Sequence, residues 1–246
     1  MQNPYAPPGD FGLLPGALPA PGGAPRGFAT REVLEAAWAV TKIHWPVLVA
    51  AYAVWTVPAS LVSLIPLLAV ALQLVEPNSI EYFGLYLSTT FAAQIIGSFF
   101  QVGYIRIALA AARGQAPQFI DIFGGFDRFL SLIAIFLITF VPETLGAVLF
   151  VVPGVILFLG LSLSTFYCVD ARLGPIASLR ESWRATRGNK FAIFVFLCAA
   201  FVVYMLSMLA CCVGPFLSFG LLYVAWAIIY MRLSGYEKSP FETQGV

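Results

Sequence analysis

Charge is what this sequence lacks most. Of its 246 residues, only 10 % are Asp, Glu, Lys or Arg, against about 25 % in an ordinary soluble domain, and the mean hydropathy is +0.89. So few charges cannot cover a water-facing surface, which excludes a soluble globular domain and points to a membrane protein. Histidine occurs once and cysteine four times, leaving little material for a metal site. The 13 Lys+Arg and 12 Asp+Glu give a net charge of +1, so no basic surplus argues for nucleic acid. A glycine-rich phosphate loop opening a helix, GxSxG and HExxH are all missing, and with them the familiar enzyme signatures.

What is abundant is apolar length. A membrane span needs about 20 mainly apolar residues, because the hydrocarbon core is about 30 Å thick and a helix rises about 1.5 Å per residue. Six stretches qualify, at roughly 45–75, 82–112, 129–150, 153–170, 191–213 and 215–233. The expected fold is an all-α membrane bundle of six transmembrane helices, arranged as three hairpins with amphipathic elbow helices at the interface. Residues 1–27 hold seven prolines and six glycines. That composition cannot bury enough apolar area to offset its ordering entropy, so a flexible tail is expected there and a second short tail at 235–246.

The charges set an expected orientation. With both termini cytoplasmic, Arg26, Arg31, Lys42, Arg106, Arg113, Arg128, Arg172, Arg180, Arg184, Arg187, Lys190, Arg232 and Lys238 all fall on the inner side or its interface, while the outer connections carry only Glu76, Glu81 and Glu143. Splitting the long first span at Pro58 and Pro66 would reverse this distribution, against the retention of cations on the cytoplasmic side. One kinked first helix is therefore expected, with its prolines as the cause of the kink. A bacterial inner (plasma) membrane fits this pattern better than an outer membrane.

The inner starts of the three hairpins share a pattern of a basic residue or histidine followed by an aromatic: His44 and Trp45, Arg128 and Phe129, Lys190 and Phe191. This is either a threefold pseudo-repeat or the general preference of helix ends for cations and aromatics at the headgroups. Each start has an expected elbow. Thr30 is placed to cap the first, with Val33, Ala37 and Trp38 on its apolar face. Phe119, Phe123 and Phe126 form a stripe in the second, interrupted by Gly124 and Gly125. Residues 175–187 open on Pro175, put Ile176, Leu179 and Trp183 on one face and Arg180, Arg184 and Arg187 on the other, and stop at Gly188. Those arginines, with Trp183, Arg128 and Lys190, are the candidate contacts for anionic lipid headgroups or a partner.

The stretch from Val151 to Phe196 carries a resemblance. Pro153 and Gly154 at the outer start of a span, Asp170 at its inner end, and Ser182, Arg187 and Gly188 in the following helix resemble the pattern of a broad, poorly characterised family of bacterial integral membrane proteins of unknown function. The same arrangement resembles the membrane domain attached to some glycerophosphodiester phosphodiesterases. The resemblance implies a six-helix bundle with interfacial elbows. It implies no activity for this chain, because in those enzymes the chemistry belongs to a separate soluble barrel that has no counterpart in this sequence.

Inside the spans, polar residues are few. Glu143 follows Pro142 within the third span and is a candidate site for a cation or proton, its alternative being a hydrated carboxylate near the outer headgroups. Gln94 and Gln101, seven residues apart, either line a polar route with Glu143 or bond to neighbouring helices. Arg106 either snorkels or pairs with Asp121, Asp127 or Asp170, and in the second case losing it is expected to destabilise more than losing Arg113. Gly84, Ser88 and Ala92, together with Ala93 and Gly97, read as a seam of small residues for close helix packing, within the chain or with a second copy. His44 reads as an interfacial anchor, and Cys168, Cys198, Cys211 and Cys212 as apolar packing. The expected function is that of a non-enzymatic scaffold or accessory protein that organises lipid or a membrane partner, as a homo-oligomer in one form, with no cofactor. The alternative is a transporter or channel whose polar route passes Glu143.

Overall fold

In hydrocarbon, every backbone N–H and C=O must find its partner inside the protein, and an α-helix achieves this within one segment. The computed structural model describes residues 27–149, 151–209 and 213–234, giving only the backbone for residues 141, 143–149, 151 and 213. Among these residues the chain is an all-α polytopic bundle, as expected. Both expected tails, Gly27 excepted, lie outside the described residues, as do Cys211, Cys212 and the side chain of Glu143.

The first span is longer than expected. Helices α1 (Thr30–Ser63) and α2 (Ile65–Ala71) form one apolar element of 42 residues, Thr30–Ala71. Pro46 and Pro58 lie inside α1, and Pro66 occupies the first turn of α2, where a missing N–H removes no helical bond. The expected first elbow is therefore no separate piece, because neither glycine nor a turn-forming pair interrupts the chain between Thr30 and His44. Nor does Thr30 cap it: the cap position is Ala29, without a side-chain hydrogen bond, and Thr30 is already helical.

Helix α3 (Ile80–Ala112) begins at Ser79, whose hydroxyl accepts a hydrogen bond from the Tyr82 N–H at 3.1 Å. The second elbow, Phe119–Asp127, is a 3₁₀ helix that meets α4 (Phe129–Leu149) at a bend of 72°. The fourth span is broken: α5 (Val151–Leu161) and α6 (Ser164–Val169) are separated at Ser162 and Leu163. Helix α7 (Pro175–Ala185) follows, and Gly188, at φ +82°, turns the chain into α8 (Lys190–Met208) and then α9 (Val213–Ser234). Five elements are long and apolar enough to cross a membrane, and a sixth is added when the bent pair is taken as one span.

The three hairpin starts thus adopt three conformations: a continuous helix, a 3₁₀ turn with a sharp bend, and a helix set off by a glycine. A shared cation and aromatic did not make them structural repeats.

Packing is uneven along the bundle axis. The half of α3 from Val102 to Ala112 is buried almost throughout, against Val33 to Ala51 of α1 and Val224 to Leu233 of α9. At the opposite end, Leu61, Leu67 and Leu68 of the first span with Leu72 and Leu74 just after it, Phe83 and Leu87 of α3, and Met205, Leu206, Met208 and Leu209 around the end of α8 are exposed. All the cations with described side chains lie on elements of the tightly packed half or at its edge, whereas Glu76 and Glu81 lie at the other end.

Close approach at the packed end depends on glycines outside the expected seam. A Cβ on Gly103 would collide with the backbone of Asp121 and Ile122, and one on Gly125 with the Phe99 carbonyl, so the 3₁₀ helix lies directly on α3. Gly84 has no atom within 4 Å of such a Cβ, and Ser88 is exposed. Only the Ala93 and Gly97 end of the expected seam is in use, with Gly97 facing Trp55 Nε1 at 3.5 Å. Gly103→Ala is expected to lower thermal stability by about 1–3 kcal/mol through overpacking. Gly84→Ala should be neutral or stabilising by up to about 1 kcal/mol, through helix propensity. Thermal unfolding in one detergent compares the two.

Candidate functional site: a cation-rich end and a polar cavity at a broken span

Three ion pairs tie the packed end together. Asp170, at the end of α6, is 4 % exposed. Its two carboxylate oxygens accept from Arg113 Nη2 at 2.8 and 2.7 Å, and one also accepts from the Tyr230 hydroxyl at 3.0 Å. This joins α3, α6 and α9. Arg106 donates from Nη2 to both oxygens of Asp127 at 2.7 Å, and from Nη1 to the Gly124 carbonyl. Arg232 Nη1 lies 3.2 Å from Glu32 Oε2, joining α9 to α1. Of the alternatives for Arg106, pairing with Asp127 is the one seen. The more deeply buried carboxylate is the partner of Arg113, which argues for ranking Arg113 above Arg106 in stability.

Helix α7 docks on its polar side. Ser178, Ser182 and Thr186, at successive positions one turn apart, are fully buried, whereas Ile176 of the expected apolar face is 68 % exposed and Leu179 and Trp183 are half-buried. The reason lies in the broken span. With no helix continuing through Ser162 and Leu163, the Gly160 carbonyl and the Leu163 N–H lose their usual partners. The Ser182 hydroxyl donates to the Gly160 carbonyl at 2.8 Å and accepts from the Leu163 N–H at 3.2 Å, and the Thr186 hydroxyl donates to the same carbonyl at 3.3 Å. A Cβ on Gly160 would collide with the Trp183 ring. Two hydroxyls and an indole thus seat α7 on the break.

This seating places the candidate cations. Arg180 and Arg187 are exposed, Arg184 pairs with Glu181 at 2.6 Å, and Lys190 Nζ lies 3.4 Å from the centroid of the Trp183 ring. Arg128 is half-buried at the bend before α4, away from this group in the chain.

A cavity of about 190 Å³ opens on the other side of the break. Among the described residues its polar lining is Gln94 and Gln101 of α3, Thr139 of α4, and Ser162, Ser164 and Thr165 at the break, and the other lining residues are apolar. Gln101 Nε2 donates to the Tyr223 hydroxyl at 3.3 Å, and Gln94 Nε2 approaches Ser98 Oγ at 3.4 Å. The structure therefore brings Gln94 and Gln101 together in one cavity, while the side chain of Glu143 lies outside the described residues. Among those residues, no group of three His, Cys, Asp or Glu side chains could hold a metal ion.

Two features here fall outside the expected sites. The Ser178, Ser182 and Thr186 stripe has a spacing of four and was visible beside the apolar residues that drew attention. The second is an aromatic cluster between α1, α3 and α9, in which Tyr52, Trp55, Tyr104, Phe219 and Tyr223 have ring centroids 4.0–6.2 Å apart in their close pairs. Its signal was the helical spacing of Tyr52 with Trp55 and of Phe216, Phe219 and Tyr223.

A scan of protein-family models finds no match to this chain, and searches of curated proteins and of solved structures find none.

Arg113→Ala would leave the Asp170 carboxylate buried with Tyr230 alone, and removal of one partner from a buried pair costs about 3–5 kcal/mol. Asp127 is 43 % exposed, so Arg106→Ala should cost less, at about 1 kcal/mol for a pair open to solvent. Thermal denaturation of both variants in detergent tests this ranking, and equal losses would contradict the dominant role of Asp170.

Proposed function

We propose that this chain is a non-enzymatic scaffold or accessory protein of a bacterial inner membrane, with both termini cytoplasmic, that gathers anionic lipid headgroups on α7. The observation that carries this reading is the seating of α7. Its hydroxyl stripe is committed to the protein, so Arg180 and Arg187 face away from the bundle at a fixed position, with Arg184 and Lys190 beside them. A phosphate-bearing headgroup suits such a surface, because guanidinium groups offer paired donors without a carboxylate to compete for each of them. Trp183 places an aromatic at the same level, where indoles favour the headgroup region.

Relation to the family of uncharacterised bacterial membrane proteins, and to the membrane domain attached to some glycerophosphodiester phosphodiesterases, belongs to this proposal. So does assembly with a second copy or another membrane protein, for which the open Gly84 and Ser88 face is the natural surface.

A second reading, transport of a small molecule, is favoured by one observation: the interrupted span faces a cavity whose polar lining, among the described residues, is uncharged. Discontinuous helices at a cavity are a recurring feature of transport sites.

Replacing Arg180, Arg184 and Arg187 together by glutamine tests the headgroup reading. At about 1 kcal/mol per cation near an anionic surface, the affinity for anionic lipid should fall about 100-fold. Native mass spectrometry of the full chain, titrated with phosphatidylglycerol and with phosphatidylcholine, reads the effect. Unchanged retention of the anionic lipid would sink the proposal.

A further inference from the structure

The geometry points to a binding site for a small, uncharged, hydrogen-bonding solute in the cavity between α3, α4 and the break between α5 and α6. This names the ligand class for the second reading above and is independent of the headgroup reading, which concerns the other side of α7.

Three observations define the ligand. The first is size. The cavity measures about 190 Å³, and an apolar cavity of about 150 Å³ is enough to hold benzene. A molecule of about four to eight non-hydrogen atoms therefore fits. The second is charge. Among the described residues, every polar group in the lining is an amide or a hydroxyl, and none of those lining residues is Asp, Glu, Lys, Arg or His. A charged ligand would leave water without a counter-charge among those residues to receive it, a costly transfer at this depth, whereas a neutral one gives up only hydrogen bonds that the lining can replace. The third is unspent bonding capacity. The hydroxyls of Ser164 and Thr165 make no hydrogen bond to another described residue, and the side-chain amide oxygens of Gln94 and Gln101 accept none. Hydroxyls and amides in helices ordinarily close on nearby carbonyls, as Ser162 and Thr139 do here. Those left open line the cavity together, offering both donors and acceptors to a ligand such as a primary amide or a urea.

The position within the fold explains why the groups are free. Ser164 and Thr165 directly follow the break, and α7 satisfies that break from its far side through Ser182 and Thr186. The near side is left to the cavity. Gln94 and Gln101 reach it from the middle of α3, one on either side of its midpoint.

Matched probes test charge and size separately. The full chain in lipid nanodiscs is titrated, by ligand-observed nuclear magnetic resonance, with acetamide against acetate and with urea against guanidinium. Each pair has nearly the same shape and differs in charge. Saturable binding of a neutral member, with its charged partner at least tenfold weaker, is the expected result. Ser164→Ala combined with Thr165→Val should weaken that binding about tenfold or more, because each lost hydrogen bond accounts for about fivefold. Gln94→Leu, which removes an open amide oxygen contributed by a different helix, should weaken it about fivefold and serves if the double variant fails to fold.

Failure of both neutral probes to bind, equal binding of the charged partners, or full affinity in the folded variants would overturn the site. Uptake of the same probes into proteoliposomes is read separately. Saturable binding without uptake supports the site and defeats the transport reading.

Discussion

A carboxylate buried where there is no water has to be neutralised, and the packed end of this bundle is arranged around one such group. Asp170 is nearly inaccessible and receives a forked pair of bonds from Arg113 and a third from Tyr230. Lipid provides no hydrophobic drive for apolar helices to associate, so polar bonds and close contact must do so. The Asp170 cluster fixes the end of α6 to α3 and α9, and Arg106 and Arg232 extend the same logic to the 3₁₀ helix and α1. These links are confined to one end. The glycines that allow backbone contact, Gly103 and Gly125, lie there too, which accounts for a tightly buried half of α3 and an exposed opposite half.

From this constraint follows the form of the broken span. With α6 held at its far end by Asp170, the span from Val152 to Val169 crosses as one element whose helix is interrupted at Ser162 and Leu163. Breaking a helix in a membrane frees backbone groups that lipid cannot satisfy. Helix α7 is returned by the turn after Asp170 to lie beside the break, and its Ser182 and Thr186 supply the missing partners. The arginines of α7 therefore face outward as a consequence of what its serines must do. An apolar face sunk in the headgroups would have left the Gly160 carbonyl unsatisfied.

Legibility in the sequence divides along the same physical line. Span positions were readable because length and hydrophobicity alone determine what crosses a membrane, and α3, α8 and α9 begin and end within a few residues of the expected limits. The grouping of cations at one end was readable for the same reason. The partner of Arg106 was not, since three aspartates were within plausible reach and the choice among them rests on the 72° bend after Asp127. Nor was the docking face of α7. Ile176, Leu179 and Trp183 form a sound apolar stripe, but which stripe turns inward depends on the break in a different helix. Gly84 and Ser88 show the converse case, a small-residue pattern at which no described residue comes within 4 Å of a Cβ on Gly84.

The cavity lies where the two regimes meet. On one side, ion pairs and glycine contacts bring helices into direct backbone contact; on the other, the helices separate and expose apolar side chains to lipid. A helix pair that diverges from a fixed end must leave a gap beyond the last strong contact. Between α3 and the α5 and α6 break, that gap is lined by residues near the middle of the spans, where polar groups without partners are least tolerable. Gln94, Gln101, Ser164 and Thr165 are costly choices for simple packing, because leucine or alanine would close the space with no polar atom to satisfy. Their presence together, beside a break that α7 stabilises from behind, makes the cavity a constructed feature of the bundle and not a defect of its packing.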